Sequence, residues 1–211
     1  MTFTPSHTLA RGLLALALGS TGGLALAGGP LGLDHRLNRD DSGIWSPGKQ
    51  NTLKYGSALV VLGGALWEGS DTRLGRTFFK ATDAMVMADA VALLGKSTLR
   101  RQRPRDGNDP NAWGGSPGGH SFPSGEVTHI TAIVTPFIAE YHDDHPAVWA
   151  LAALPLYSGV ARLKNQAHWQ TDVLAGMALG VATGLYAQGR DEAWSVKLLP
   201  HGFSVGLSRR F

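Results

Sequence analysis

Three short segments of this chain carry residue types that could do chemistry together. In Arg162-Leu-Lys-Asn-Gln-Ala-His168-Trp-Gln-Thr-Asp172, the histidine and the aspartate stand four residues apart. That spacing makes them neighbours on a helical face. A carboxylate beside one imidazole nitrogen fixes the tautomer and leaves the other nitrogen free to attack an electrophile. A purely structural His–Asp pair near a helix start would use the same spacing. In Lys96-Ser-Thr-Leu-Arg-Arg-Gln-Arg103-Pro104, two cations lie seven residues apart. If one helix continues through both, they share a face, and Pro104 then stops it. Such a pair can hold separate phosphate oxygens, Arg103 as a planar fork and Lys96 as a point charge. A solvated basic helix end reads the same way. In Ser121-Phe-Pro-Ser124-Gly125-Glu126, Ser124 sits where an N-cap would, just before an apolar run. The free N–H groups of a helix start, with a glycine that permits close approach, make an anion site. Plain capping is the simpler account of that segment alone. Arg162 would add a third cation.

The elements that must position these residues are helical. Five apolar stretches run over Tyr55–Trp67, Ala81–Gly95, Val127–Tyr141, Ala147–Ala161 and Val173–Ala187. Each is about four turns long at 1.5 Å per residue. A bilayer span needs about 20 apolar residues. Asp83, Asp89, His129 and Glu140 also interrupt some of the stretches, so buried helices of a bundle are expected. Residues 28–52 are polar and read as a loop or surface segment. Arg103–Pro123 is a long loop rich in turn formers. Near the end, Trp194, Val196 and Leu198, then Phe203, Val205 and Leu207, alternate with other residues around Pro200-His201-Gly202. The alternation predicts a β-hairpin over 194–211. The fold class expected is therefore all-α, a bundle of about five core helices over 28–193 with a short C-terminal β-hairpin.

Composition narrows the chemistry. The chain has 211 residues, 28 glycines, no cysteine and a formal net charge of +3. Thiol nucleophiles, disulfides and Cys-ligated zinc are excluded. No DNA- or RNA-reading motif accompanies the basic cluster, so nucleic acid is not an expected partner. His142, Asp143, Asp144 and His145 have metal-ligand residue types, but a turn before Pro146 accounts for them better than a metal site. Trp113, Trp149 and Trp169 read as core or rim aromatics. Arg11 precedes an apolar run from Gly12 to Ala27 that closes in Ala-Leu-Ala. This is the pattern of a secretory signal peptide, with a permanent N-terminal anchor as the other reading of 1–27. Both put the remaining chain in the cell envelope, expected to be periplasmic, with contact to a membrane surface left open.

Taken in order, the three segments resemble the type 2 phosphatidic acid phosphatase and vanadium haloperoxidase superfamily. Its pattern is K-x6-R-P, then P-S-G-H, then S-R-x5-H-x3-D; here it runs from Lys96 to Asp172. The resemblance implies a helical bundle and a phosphate held by Lys96, Arg103, Arg162, Ser124 and the Gly125 amide. It also implies His168 as a nucleophile that forms a phosphohistidine, Asp172 as its orienting partner, and no metal or other cofactor for phosphatase work. The implied substrate is a phosphate ester or diphosphate, small or lipid-linked. A vanadate-dependent haloperoxidase and a non-catalytic binder of phosphate or lipid head groups are the alternatives. Two positions depart from the pattern. Ala161 replaces a serine, and Glu126 replaces the histidine that serves the family as general acid. Three substitutes for that acid stand open: Glu126 itself in protonated form, His129 or His120, or a leaving group that needs little acid help.

Overall fold

The computed structural model describes residues 28–115, 120–190, 193–199 and 202–208. The expected signal peptide or anchor, 1–27, lies outside the described residues. Five α-helices form the body: α1 (Pro47–Glu68), α2 (Arg73–Leu99), α3 (Gly125–Tyr141), α4 (Ala153–Lys164) and α5 (Gln170–Gln188). They match the five apolar stretches but extend beyond them at most ends, because helix ends are set by caps and turns as well as by hydrophobicity. Thr72 caps α2 by accepting from the Gly75 amide at 2.9 Å. The fourth stretch is split into a 3-10 segment, Pro146–Ala152, and α4. No helix among the described residues is long and apolar enough to cross a membrane.

Helix α3 lies at the centre. Every residue from Val127 to Pro136 is buried, so the helix has partners on all sides. Against α1 and α2 it contributes Ile130, Ile133 and Val134 to a core with Val61, Ala81 and Met85. Phe78 meets Phe137 edge-on at the margin of this core. Against α5 the contact is closer than ordinary side chains permit. A Cβ on Gly180 would lie 2.5 Å from Thr131 Cβ and 2.7 Å from the Thr128 carbonyl oxygen, and one on Gly184 would lie 2.4 Å from Thr135 Cβ. The three threonines each donate their hydroxyl to a carbonyl four residues back. Their polar atoms are thus satisfied within α3. The high glycine content of the sequence is used here to bring two backbones together.

The reading of 28–52 as loop or surface needs correction. Residues from Pro47 onward belong to α1, and Gly43–Trp45 form a 3-10 turn. The stretch 34–40 is irregular but docked against the turn between α4 and α5. The Asp40 amide donates to the Lys164 carbonyl, Gln166 Nε2 donates to the Leu37 carbonyl, and the His35 amide donates to Gln170 Oε1. Asp34, in this segment read as loop or surface, is buried. Pairing and hydrogen bonding make this tolerable: its carboxylate meets the Arg101 guanidinium at 2.5 Å and accepts from Thr171.

Candidate active site

Lys54 of α1, the C-terminal half of α2, the start of α3, the end of α4 and the turns that carry Arg103 and His168 meet around a cavity of about 380 Å³. Lys96, Arg103, Arg162 and His168 line it, with Gly125 and Glu126 at the start of α3. The sequence expected Lys96 and Arg103 to share a continuing helix face, and this is not how they meet. Helix α2 ends at Leu99. Arg100 turns into the left-handed region (φ 46°, ψ 45°), and its amide donates to the Lys96 carbonyl. The turn sends Arg101 inward to a buried pair of carboxylates, and Arg103 reaches the cavity from the loop instead.

The His168–Asp172 pair is also rebuilt by the tertiary structure. Helix α5 starts only at Gln170, so His168 lies in the turn before it and the two do not share a helical face. Gln166 in that turn takes a positive φ of 51°, and the Ala167 and His168 amides both donate to the Arg162 carbonyl. His168 Nδ1 lies 2.6 Å from the Ser121 carbonyl oxygen but 3.7 Å from Asp172 Oδ2. A carbonyl can only accept, so Nδ1 carries the hydrogen and Nε2 keeps its lone pair. The bond that fixes the tautomer therefore comes from Ser121, not from Asp172 as the spacing suggested. Asp172 is the hub behind it. Its Oδ2 accepts from Ser121 Oγ at 2.5 Å and from the Trp169 amide at 2.8 Å, and its Oδ1 accepts from Arg101 Nη1 at 2.5 Å.

Electrostatics follow from burial. Desolvation pushes the His168 imidazole down from 6.5 to about 3, against the pull of Asp172. It is neutral over the ordinary pH range and available as a nucleophile. Desolvation works to raise the Asp172 carboxyl, but His168, Arg101 and Ser121 outweigh it and hold the group below its usual range. Burial, then the neighbouring Arg103, lowers Lys96 to about 8. Its ammonium donates to the carbonyls of His120 at 2.9 Å and Pro123 at 2.7 Å, which aims it across the start of α3. A Cβ on Gly125 would stand 3.1 Å from Lys96 Cε, so the glycine leaves the passage for this side chain. Burial also lowers Arg103 and Arg162 from their ordinary values.

Several buried polar atoms mark where an anion would fit. Ser124 Oγ and Arg162 Nε have no hydrogen-bond partner among the described residues. Unmade bonds of this kind are costly, and at Arg162, which lines the cavity, a phosphate oxygen would supply the missing one. Ser124 does not line the cavity; it lies buried behind Gly125 and makes no side-chain cap to α3. Glu126 reaches Arg162, with Oε2 3.0 Å from Nη1. His129 is buried and reaches the cavity only through Asp89, a lining residue whose carboxylate lies 2.9 Å from its Nδ1. His120 lies outside the lining, in the loop that holds Lys96.

Three participants were not singled out from the sequence. Arg101, Asp34 and Asp89 show no spacing signal of their own. The Arg-Arg-Gln-Arg run gave no reason to separate Arg101 from its neighbours, and Asp34 is 138 positions before Asp172. Around His142, the residues engage in surface pairing: Arg73 bridges Glu140 and Asp144. Among the described residues no group of His, Asp and Glu is placed to hold a metal ion. Trp169 is buried and donates its Nε1–H to the Gln102 carbonyl, Trp113 stacks over the Arg101 guanidinium, and Trp149 is exposed.

The family model described as PAP2 superfamily matches residues 79–192, more than half of the chain. A lipid A 1-phosphatase of Porphyromonas gingivalis is 28% identical over 130 residues, 60% of this chain and 26% of the relative. The chain thus spans about a quarter of the relative's length. No solved structure matches.

Proposed function

This chain belongs to the PAP2 superfamily, and we propose that it is a phosphatase working through a phosphohistidine on His168, without a metal, on a lipid-linked phosphate ester. One observation carries the reading: His168 lines a cavity bordered by four cations, Lys54, Lys96, Arg103 and Arg162, while its Nδ1–H is committed to the Ser121 carbonyl. The name of the P. gingivalis relative supports a lipid phosphate as substrate. A diphosphate is the other substrate the cavity's charge accommodates.

In the proposed reaction, Lys96, Arg103 and Arg162 neutralise the phosphate oxygens, helped by the free N–H groups at the start of α3. Nε2 of His168 attacks phosphorus, a P–N bond forms and the bond to the leaving oxygen breaks. The Nδ1–H hydrogen bond and the negative carboxylate of Asp172 stabilise the positive charge that develops on the ring. Glu126 is the proposed proton donor. Incoming phosphate replaces its carboxylate as the partner of Arg162, and in this proposal the freed carboxyl carries the proton. That proton goes to the leaving oxygen, and the carboxylate then takes one from the water that cleaves the P–N bond. Asp89, backed by His129, is the other carboxyl within the cavity that could serve this step.

We further propose an envelope location, supported by Arg11 and the apolar run Gly12–Ala27, and a C-terminal hairpin. The hairpin is supported by the alternation in the sequence.

The test is phosphate release in EDTA from a lipid phosphate, a polyprenyl diphosphate and an aryl phosphate, with His168→Ala alongside. The proposal expects release by the wild type, none by the variant, and an acid-labile radiolabelled phosphoenzyme after rapid quenching. Full activity in His168→Ala would end the nucleophile assignment. Vanadate binding with bromide oxidation and no phosphate release would replace the whole reading with the haloperoxidase one.

A further inference from the structure

The segment 34–40 precedes the region that the family model matches, yet it grips the turn that carries His168. At one end of the grip, the Asp40 amide donates to the Lys164 carbonyl. In the middle, Arg36 Nη2 donates to Gln166 Oε1 and Gln166 Nε2 to the Leu37 carbonyl. At the other end, Asp34 Oδ1 accepts from the Thr171 amide at 2.8 Å, and Oδ2 accepts from Thr171 Oγ1 at 2.7 Å. Asp34 therefore caps the first turn of α5 from outside the helix. Its carboxylate, the Arg101 guanidinium and the Asp172 carboxylate all have fully buried side chains. Two negative charges thus share one positive charge directly behind the Ser121–His168 hydrogen bond.

We infer that Asp34 is a positioning residue for the His168 reaction: by dividing Arg101 with Asp172, it keeps the cluster net negative and fixes the turn in which His168 stands. Without Asp34, the whole guanidinium charge falls on Asp172. The negative field that stabilises the developing imidazolium is then cancelled, in a buried setting where such fields act strongly. The first turn of α5 also loses the group that accepts its Thr171 amide, so the Trp169 and His168 backbone is held from one side only. The cavity cations Lys96, Arg103 and Arg162 are untouched by either change. The effect should therefore fall on turnover and not on phosphate binding.

This inference rests on the proposed role of His168, and the experiment separates the two. Asp34→Asn in the full chain keeps the shape and an acceptor while removing the charge. Thr171→Val keeps the shape while removing the hydroxyl that bridges Asp34 and Arg101. The measurements are kcat and KM on an aryl phosphate, the Kd of vanadate, and thermal melting. For Asp34→Asn the expected result is a kcat lower by about 10- to 100-fold, with KM and vanadate Kd within about threefold of wild type. For Thr171→Val it is a kcat lower by several-fold. A role confined to stability would lower the melting temperature and leave kcat per folded molecule unchanged. Folded Asp34→Asn with kcat within about twofold of wild type overturns the inference. If that variant does not fold, an unchanged kcat in Thr171→Val overturns it. When His168→Ala is inactive and both variants match the wild type, only the positioning role of Asp34 fails; when His168→Ala is active, the nucleophile assignment fails first.

Discussion

The buried state of His168 makes the protein's acid stability calculable. In the unfolded chain the imidazole has its ordinary pKa of 6.5, while in the folded chain burial lowers it to about 3. Between those values the unfolded state binds a proton that the folded state refuses, so stability rises with pH across the window. At pH 5 the unfolded imidazole is about 30-fold more protonated than neutral, and the folded one is essentially neutral. That ratio is worth about 2 kcal/mol in favour of unfolding relative to pH 8. Asp172 adds to the trend only at lower pH. Its folded pKa is depressed, so its contribution is present above the ordinary carboxylate pKa and is lost as pH falls below it. The perturbation is His168→Gln, which removes the titration and keeps an amide donor for the Ser121 carbonyl. The assay is urea unfolding of wild type and variant at pH 5 and pH 8. The drop from pH 8 to pH 5 should be about 2 kcal/mol larger in the wild type than in the variant. Equal drops would refute the claim that the folded imidazole is neutral, and with it the argument that Nε2 has a free lone pair at moderately acid pH.

Three other outcomes follow from the geometry. Because Lys96 is lowered to about 8, kcat/KM should decline above that pH as the ammonium is lost, and Lys96→Arg should move the decline to higher pH. Glu126→Gln removes the carboxylate from Arg162, so vanadate should bind about tenfold more tightly by isothermal titration, while hydrolysis of a simple alkyl phosphate slows. Tighter binding with undiminished alkyl phosphate turnover would remove Glu126 from the chemistry. Gly180→Ala should destabilise the fold by about 1–3 kcal/mol in thermal or urea melts despite the better helix propensity of alanine, because its methyl would meet Thr131 and the Thr128 carbonyl. An unchanged melting temperature would show that α3 and α5 can separate at little cost.

What the sequence determined by itself was the inventory. The length of five apolar stretches identified five helices, since burial leaves apolar runs in the chain that can be read without coordinates. The three segments selected eight residues; Lys96, Arg103, Gly125, Glu126, Arg162 and His168 line one cavity, while Ser124 and Asp172 lie buried outside its lining. Spacing did not determine how they meet, because it assumes that a helix continues. Helix α2 stops at Leu99 and α5 starts at Gln170, so Arg103 and His168 reach the cavity from turns. Three relationships were decided by the tertiary structure alone. The acceptor for His168 is a backbone carbonyl, and every residue type supplies one, so Ser121 gave no signal of that role. Glu126 faces Arg162 across two helices, a contact that no local pattern encodes. Asp34 reads as a solvated charge in a polar stretch until the fold brings Arg101 and the start of α5 to it. A local pattern records which side of an element is buried; the partner of a buried charge is chosen by chain segments far apart in sequence, and only their packing reveals it.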